Sequence, residues 1–215
     1  MSAGSKQAPG NFIRQMIDSY HEQAKEKELR IVHAAGFDSI PSDLGVLFTQ
    51  MEFQKRFSAP ASEIKMMTGK MKGKFSGGTI ASMISLLNQI GKEPSLRRLL
   101  ANPYSLNPNQ NYKGSDRGDQ MSLRFDPDLD KWTAPFIMAG INTRIVRRSH
   151  AILGFPYGEQ FRYSEVMGFP KGRRGWWMAA SLSIGLGLFM GLLIQPWLRR
   201  IIHRYFLPQP GEGPS

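Results

Sequence analysis

The run LRIVHAAGFDSIPSDLG, residues 29–45, decides how the rest of the chain is read. Its first seven residues, Leu29 to Ala35, are short and apolar with Ile31 and Val32 near the centre, the composition of a strand buried on both faces. Gly36 ends it with a residue free to take unusual backbone angles. Pro41 stiffens the turn, and Ser42 or Asp43 is suited to cap a helix. From Ser42 to Phe57 apolar residues return at helical spacing, as Leu44, Leu47, Phe48, Met51 and Phe57. Upstream, Asn11 to Lys27 carries Phe12, Ile13, Met16, Ile17, Tyr20 and Ala24 on one helical face. Helix, buried strand, tight turn, helix is the order of a parallel α/β layer, so the expected fold class is α/β.

Beyond this unit the pattern changes. In Glu63 to Phe75, lysines 65, 70, 72 and 74 interleave with Met and Gly, as in a strand or hairpin with one wet face. Gly77, Gly78 and Thr79 then introduce Ile80, Met83, Ile84, Leu87 and Ile90, a helix with a glycine-rich entry. Asn102 to Gly118 is rich in Asn, Pro, Ser and Gly and reads as a long loop of the functional kind. Pro135 occupies a favoured first-turn place for a helix that carries Phe136, Ile137, Ile141, Ile145 and Val146 and ends near Leu153. Phe161 to Met167 reads as a short strand. Gly175 to Leu198 contains no charged residue and is long enough to cross a bilayer. Ser183, Gly187 and Gly191 repeat every fourth residue along it, a close-packing stripe. The tail from Leu207 is rich in Pro and Gly and reads as a linker.

Composition removes several chemistries. The 215 residues include no cysteine, which excludes disulfides, thiolate metal sites and a cysteine nucleophile. The four histidines, His21, His33, His150 and His203, have no metal-ligand spacing, so no metal site is expected. No secretory signal is visible, which with the missing cysteines gives an expected cytoplasmic location. The net charge of +11 is concentrated late, where Lys171, Arg173, Arg174, Arg199, Arg200 and Arg204 bracket the apolar run without one Asp or Glu between them. Basic groups flanking an apolar run suit anionic lipid headgroups better than nucleic acid, and plain solubility charge is the competing explanation. Trp176, Trp177 and Trp197 stand at the ends of the run, where indoles favour the headgroup belt. The run therefore spans a membrane, lies on one, or is buried in a core or dimer.

Three groupings have residue types suited to chemistry. The turn from Gly36 to Gly45 lies where ligands bind in parallel sheets, outside the carboxyl end of a strand; the competing reading is a well-made turn and cap. Ser76 to Thr79 would present amides at a helix start to a phosphate or carboxylate, or would be an ordinary cap by Thr79. Asn142, Arg147, Arg148, Ser149 and His150 share one helix, where an arginine could grip an anion and His150 could give a proton, against a solvated basic face with a satisfied histidine.

The GFDSIPSDLG string resembles the signature of saccharopine dehydrogenase-like oxidoreductases, which include the trans-acting enoyl reductases of lipid biosynthesis. Gly77-Gly78-Thr79 with Ala81-Ser82, Ala134-Pro135-Phe136 through Asn142, Arg148-Ser149, Phe161 through Glu165 and the closing Leu207 to Pro214 agree with that family in the same order. The likeness runs from about Ile17 to the end of the chain. It implies that residues 1–57 complete a Rossmann-like domain, that 58–170 form an α+β substrate and dimerisation domain, and that 171–206 and 207–215 follow as an apolar helix and a linker-like tail. It also implies a glycine-rich nucleotide loop that this sequence lacks: Gly185, Gly187 and Gly191 sit inside the apolar run with no strand before them. The likeness thus leads one to expect family sequence on both sides of this chain.

By resemblance, Gly36, Phe37 and Asp38 line the edge of a bound NAD(P)H, with Ser39, Pro41 and Asp43 shaping the turn. Gly77, Gly78, Thr79, Asn142 and Arg148 contact the substrate, and Asp38, His150 and Tyr163 are the candidate proton donors. The expected reaction is hydride transfer to an enoyl or carbonyl group of a lipid-like substrate, with weak or absent NAD(P)H binding by this chain alone. Expected partners are that substrate, a membrane surface through 175–198 and a second copy of the chain, and not nucleic acid. The alternative is a non-enzymatic, membrane-associated binding or interaction protein.

Overall fold

The computed structural model describes residues 9–36, 39–69, 101–109 and 111–195. In chain order the elements are α1 (Pro9–Glu26), α2 (Ile40–Phe57), β1 (Glu63–Thr68), β2 (Arg124–Asp126), β3 (Lys131–Pro135), α3 (Ala139–Ile152), β4 (Arg162–Phe169) and α4 (Arg173–Ile194). The strands form one mixed sheet in the order β1-β4-β3-β2. β1 runs parallel to β4, with Lys65 opposite Ser164 and Met66 opposite Glu165. β3 is antiparallel to both β4 and β2. The chain thus adopts the mixed α/β class expected of it.

β4 lies between β1 and β3, and in it and the residue before it Phe161, Tyr163 and Glu165 are buried while Arg162 is exposed. Phe161 and Tyr163 meet Val46 of α2 and Val146 of α3 in one apolar cluster, which Ile64 and Met66 of β1 extend. A second cluster joins Ile13 and Ile17 of α1 to Ile145 of α3 and Leu106 of the long loop. Between α2 and β1, the buried Gln50 side chain donates to the Ala61 carbonyl at 2.8 Å and accepts from the Ala61 amide at 2.9 Å. This closes the connection with two bonds that an apolar residue could not make.

α4 lies against β3 and β4 with its small residues inward. Gly175, Ala179 and Ala180 are buried, and a methyl added at Gly175 would run into the Pro170 carbonyl. The small-residue stripe that packs is therefore Gly175 with Ala179, while Gly187 and Gly191 are exposed.

Two elements depart from expectation. Pro135 closes β3, opposite Val166, and the helix begins four residues later at Ala139. Proline has no amide to donate, so a strand end suits it as well as a helix start. The strand or hairpin expected over 63–75 is met by a strand over Glu63–Thr68 that pairs in parallel with β4, and residues 70–75 lie outside the described residues. Residues 29–35 are a loop: Ile31 and Val32 are 59% and 69% exposed, and Ala34 turns the chain at φ 54°. A strand needs a neighbour for its amides, and among the described residues none stands beside it. The helix expected at 77–90 lies outside the described residues, as does the tail.

α2 differs in which face it buries. Ser42, Val46 and Gln50 point inward, and Leu44, Leu47, Phe48 and Met51 point to solvent. The helical period was legible, but the buried side is a polar one.

Candidate active site

The turn before α2 is tied to the sheet by a chain of buried hydrogen bonds. Ser39 donates through Oγ to Asn142 Oδ1 at 2.9 Å. Asn142 Nδ2 donates to Glu165 Oε2 at 3.0 Å, and the Tyr163 hydroxyl donates to Glu165 Oε1 at 2.8 Å. Ser42 hydrogen-bonds the same carboxyl. Glu165 is 2% exposed, and Ser39, Ser42, Asn142 and Tyr163 are buried with it. Both ends of the Ser39–Ser42 turn are thereby fixed to α3 and β4. Burial holds the Glu165 carboxyl above its ordinary range; the hydrogen bonds from Ser42, Tyr163 and Asn142 work the other way and Asp119 reinforces the rise. Burial next to this carboxyl also pushes the Tyr163 phenol upward, so Tyr163 keeps its proton.

One residue further along α2, Asp43 accepts from Ser149 Oγ at 2.8 Å. Burial raises the Asp43 carboxyl against the lowering effect of that bond. Asp43 and Ser149 stand at a cavity of about 230 Å³ between α2 and α3, walled by Val46, Val146, Leu153 and Tyr157 and reached by His150. The His150 ring stacks on Tyr157, with centroids 4.9 Å apart, and meets Phe155 and Phe161 edge-on. Its Nε2 lies 3.0 Å from the Gly158 carbonyl, which can only accept, so Nε2 carries the hydrogen. Burial lowers the His150 pKa, with the Gly158 bond and Asp116 acting in the opposite direction, and the ring is neutral at pH 7. Nδ1 is then an acceptor, and among the described residues it has no hydrogen-bond partner.

The arginines expected to grip an anion are committed inside the protein. Arg147 is 3% exposed and pairs through Nε with Asp116 at 2.6 Å. It also donates to the Tyr163 carbonyl at 3.0 Å and to Thr143 Oγ1 at 3.0 Å, and its guanidinium lies 5.7 Å from the Tyr104 ring centroid. Arg148 donates to the Leu106 carbonyl at 2.7 Å. Arg14 reaches the Asn107 carbonyl at 2.9 Å, and Arg144 pairs with Asp119 at 2.9 Å. The long polar loop is thus pinned along its length by buried guanidinium groups, which explains how a segment with so few apolar residues stays ordered. Burial around Tyr104, packed in the same loop, lifts its phenol to about 12.

Of the sequence candidates, the structure brings Ser39, Asn142 and Tyr163 into one network and places His150 and Asp43 at the neighbouring cavity. Gly36 is exposed at the start of the turn, and Pro41 is exposed in the first turn of α2. Arg148 lies at the loop, away from that network. Phe37, Asp38, Gly77, Gly78 and Thr79 lie outside the described residues. Glu165 and Ser42 were missed as site residues, and Asp43 was read only as a shaper of the turn. The available signal was the period-two alternation of Phe161, Tyr163 and Glu165, which puts a carboxylate on the apolar face of a strand.

No protein-family model matches the chain, and no solved structure matches it. Curated proteins do. One from Mycobacterium tuberculosis, provisionally named a trans-acting enoyl reductase, is 40% identical over 95% of this chain and 51% of its own length. A trans-acting enoyl reductase from the same organism is 34% identical, and one from Mycobacterium ulcerans 35% identical, each over 95% of this chain and 51% of the relative. The chain spans about half the length of the curated relatives it matches, and over that half it belongs to the trans-acting enoyl reductase family.

Proposed function

We propose that this chain carries the substrate-facing part of a nicotinamide-dependent enoyl reductase of the saccharopine dehydrogenase-like class, acting on a lipid-like acyl substrate. The names of the relatives support the reaction class. The observation that carries the reading is the buried bridge from Glu165 through Asn142 to Ser39 and directly to Ser42, which ties residues 39–42 to α3 and β4 beside the cavity at Asp43. Rigid placement of a reacting surface is what a reductase needs from its protein part.

The residues present fit the nicotinamide end of a dinucleotide. Gly36 has open space over it, so a flat ring can approach the backbone there. When bound, the nicotinamide supplies the hydride. Asp43, half-buried at the cavity and accepting from Ser149 at 2.8 Å, is our candidate for handling the proton that the other carbon of the double bond takes up. His150, whose Nδ1 lacks a hydrogen-bond partner among the described residues, lines the same cavity. In this reading residues 1–57 belong to a Rossmann-like unit, 58–170 to the substrate domain, and 171–206 to the apolar helix.

Pyrophosphate grip normally comes from a glycine-rich loop on a helix N-terminus, and the sequence has no such loop after a strand. A fluorescence titration of the chain with NADPH is therefore expected to show no saturation in the micromolar range. Micromolar binding would overturn this division of labour.

A second reading, membrane association, is favoured by α4. Arg173–Leu192 is long and apolar enough to cross a membrane, and only 17% of it is buried. Ile184, Leu188 and Leu192 point to solvent. The chain is expected to float with vesicles containing anionic lipid, and the Ile184→Glu/Leu188→Glu variant to remain at the bottom of the gradient. If the unaltered chain also stays down, the membrane reading fails.

A further inference from the structure

We infer that the groove between the β2–β3 hairpin and the first turns of α4 binds one molecule of an anionic amphiphile, an alkyl or acyl chain that ends in a phosphate or carboxylate. The groove shares no lining residue with the cavity at Asp43. It depends neither on the proposed reduction nor on α4 entering a bilayer.

Strand register and one close contact build the groove. Phe125 of β2 stands opposite Trp132 of β3, so both rings leave the sheet on one face, edge to face with centroids 5.2 Å apart. Gly175 seats α4 against the Pro170 carbonyl just after β4, where any side chain would collide. Trp176 and Trp177 follow and complete the wall, their rings 4.8 Å apart and nearly perpendicular. The four rings line a space of about 690 Å³, a size usual for small-molecule sites. Phe125, Trp176 and Trp177 are exposed, Trp177 by 63%. Large rings gathered at one concavity mark a binding surface, whereas single exposed apolar residues scatter.

The rim is basic. Lys171 and Arg173 line it, Arg174 follows, and no Asp or Glu occurs from Val166 to Gly211. Lys171 is met by Asp130 of the hairpin at 2.8 Å, but the first turn of α4 has no acidic residue to meet the two arginines. Cations at that end of a helix oppose its dipole, and a bound anion offsets the cost. Gly172, at φ 96°, leaves bare backbone at the same rim. These features select among ligands that suit aromatic walls. A quaternary ammonium is attracted by the rings but repelled by Lys171 and Arg173. A nucleobase would stack, yet none of the lining side chains accepts a hydrogen bond from its amino groups. An alkyl chain asks for nothing polar from the walls, and its anionic head meets Arg173.

The test is calorimetric titration of the full chain with dodecyl phosphate kept below its micelle concentration. Saturable binding of one molecule per chain is expected, and Arg173→Glu and Trp177→Ser should each weaken it about tenfold or more. Both positions are exposed, and Arg173→Glu should leave Tm unchanged or raise it, since an acid suits that end of a helix. Dodecyltrimethylammonium should bind more weakly than the phosphate. Vesicles of phosphatidylglycerol offer the same chemistry from a bilayer. A vesicle response that both groove variants abolish supports the site with a membrane lipid as its source, and binding of dodecyl phosphate alone supports it with a soluble one. Failure of both ligands to bind overturns the inference, as does binding that survives both variants or a preference for the ammonium. A vesicle response that only Ile184→Glu/Leu188→Glu removes belongs to the apolar run and, without dodecyl phosphate binding, also overturns it.

Discussion

Arg147→Ala is expected to destabilise the chain by about 3–5 kcal/mol, the usual cost of removing one partner from a buried ion pair. The substitution strands Asp116, whose carboxylate is 6% exposed and also accepts from the Tyr163 amide at 2.9 Å. It also removes the donors that reach the Tyr163 carbonyl and Thr143. For a chain of this length the loss corresponds to a fall in Tm on the order of 10 °C. Calorimetry checks the magnitude, and hydrogen exchange checks the place: protection should be lost first over 102–118, the loop this guanidinium holds. Arg147→Lys should recover little, because an ammonium cannot reproduce the planar fork. A fall no larger than that of an exposed arginine would mean that the ion pair does not order the loop.

Glu165→Ala is expected to cost about 3 kcal/mol, since it leaves the Asn142 amide and the Tyr163 hydroxyl as buried donors without an acceptor. Glu165→Gln keeps an acceptor and shape and should cost about 1 kcal/mol or less. The pair differ in pH behaviour. Burial raises the folded Glu165 pKa above its ordinary value of 4.5, so between these two limits the folded state holds a proton that the unfolded state has released. The unfolded chain binds fewer protons there, and stability falls as pH rises through the window. Below 4.5 both states are protonated and the contribution is complete. His150 acts in reverse: its folded pKa lies below 6.5, so stability is lost as pH falls through that value. Comparing the unaltered protein with Glu165→Gln in denaturant melts isolates the carboxyl. The difference in stability should shift with pH from 4.5 upward and be flat below it.

Elements with a strong period were legible in the sequence. The helices α1, α2 and α3, the strand β4 and the apolar α4 all follow from spacing. β2 and β3 were not, because three- and five-residue strands carry too few residues for a period, and Pro135 fits a strand end as well as a helix start. The strand expected at 29–35 failed for a different reason. Its composition suits a strand, but strand formation depends on a neighbour that local sequence does not specify. The same holds for α2, whose period was right and whose buried face was not.

The site divided along a similar line. The turn at 36–43 stood out because Gly, Pro, Ser and Asp mark turns by mechanism. Which groups support it did not, since Asn142 and Glu165 lie 103 and 126 residues from Ser39 and meet it only through the packing of α3 on β4. The arginines of α3 were misjudged because a charged residue in a helix usually faces water. Here the polar loop provides carbonyls and carboxylates that make burial tolerable.

The proposed chemistry depends most on the nicotinamide ring resting against residues 36–43. Intermolecular nuclear Overhauser effects between NADPH and the protein, measured on this chain joined to the remaining half of its relative, test that placement directly. Contacts from the nicotinamide ring protons to Gly36, Ser39 and Pro41 are the expected result. Contacts confined to other parts of the chain, with the cofactor bound and the turn silent, would contradict it.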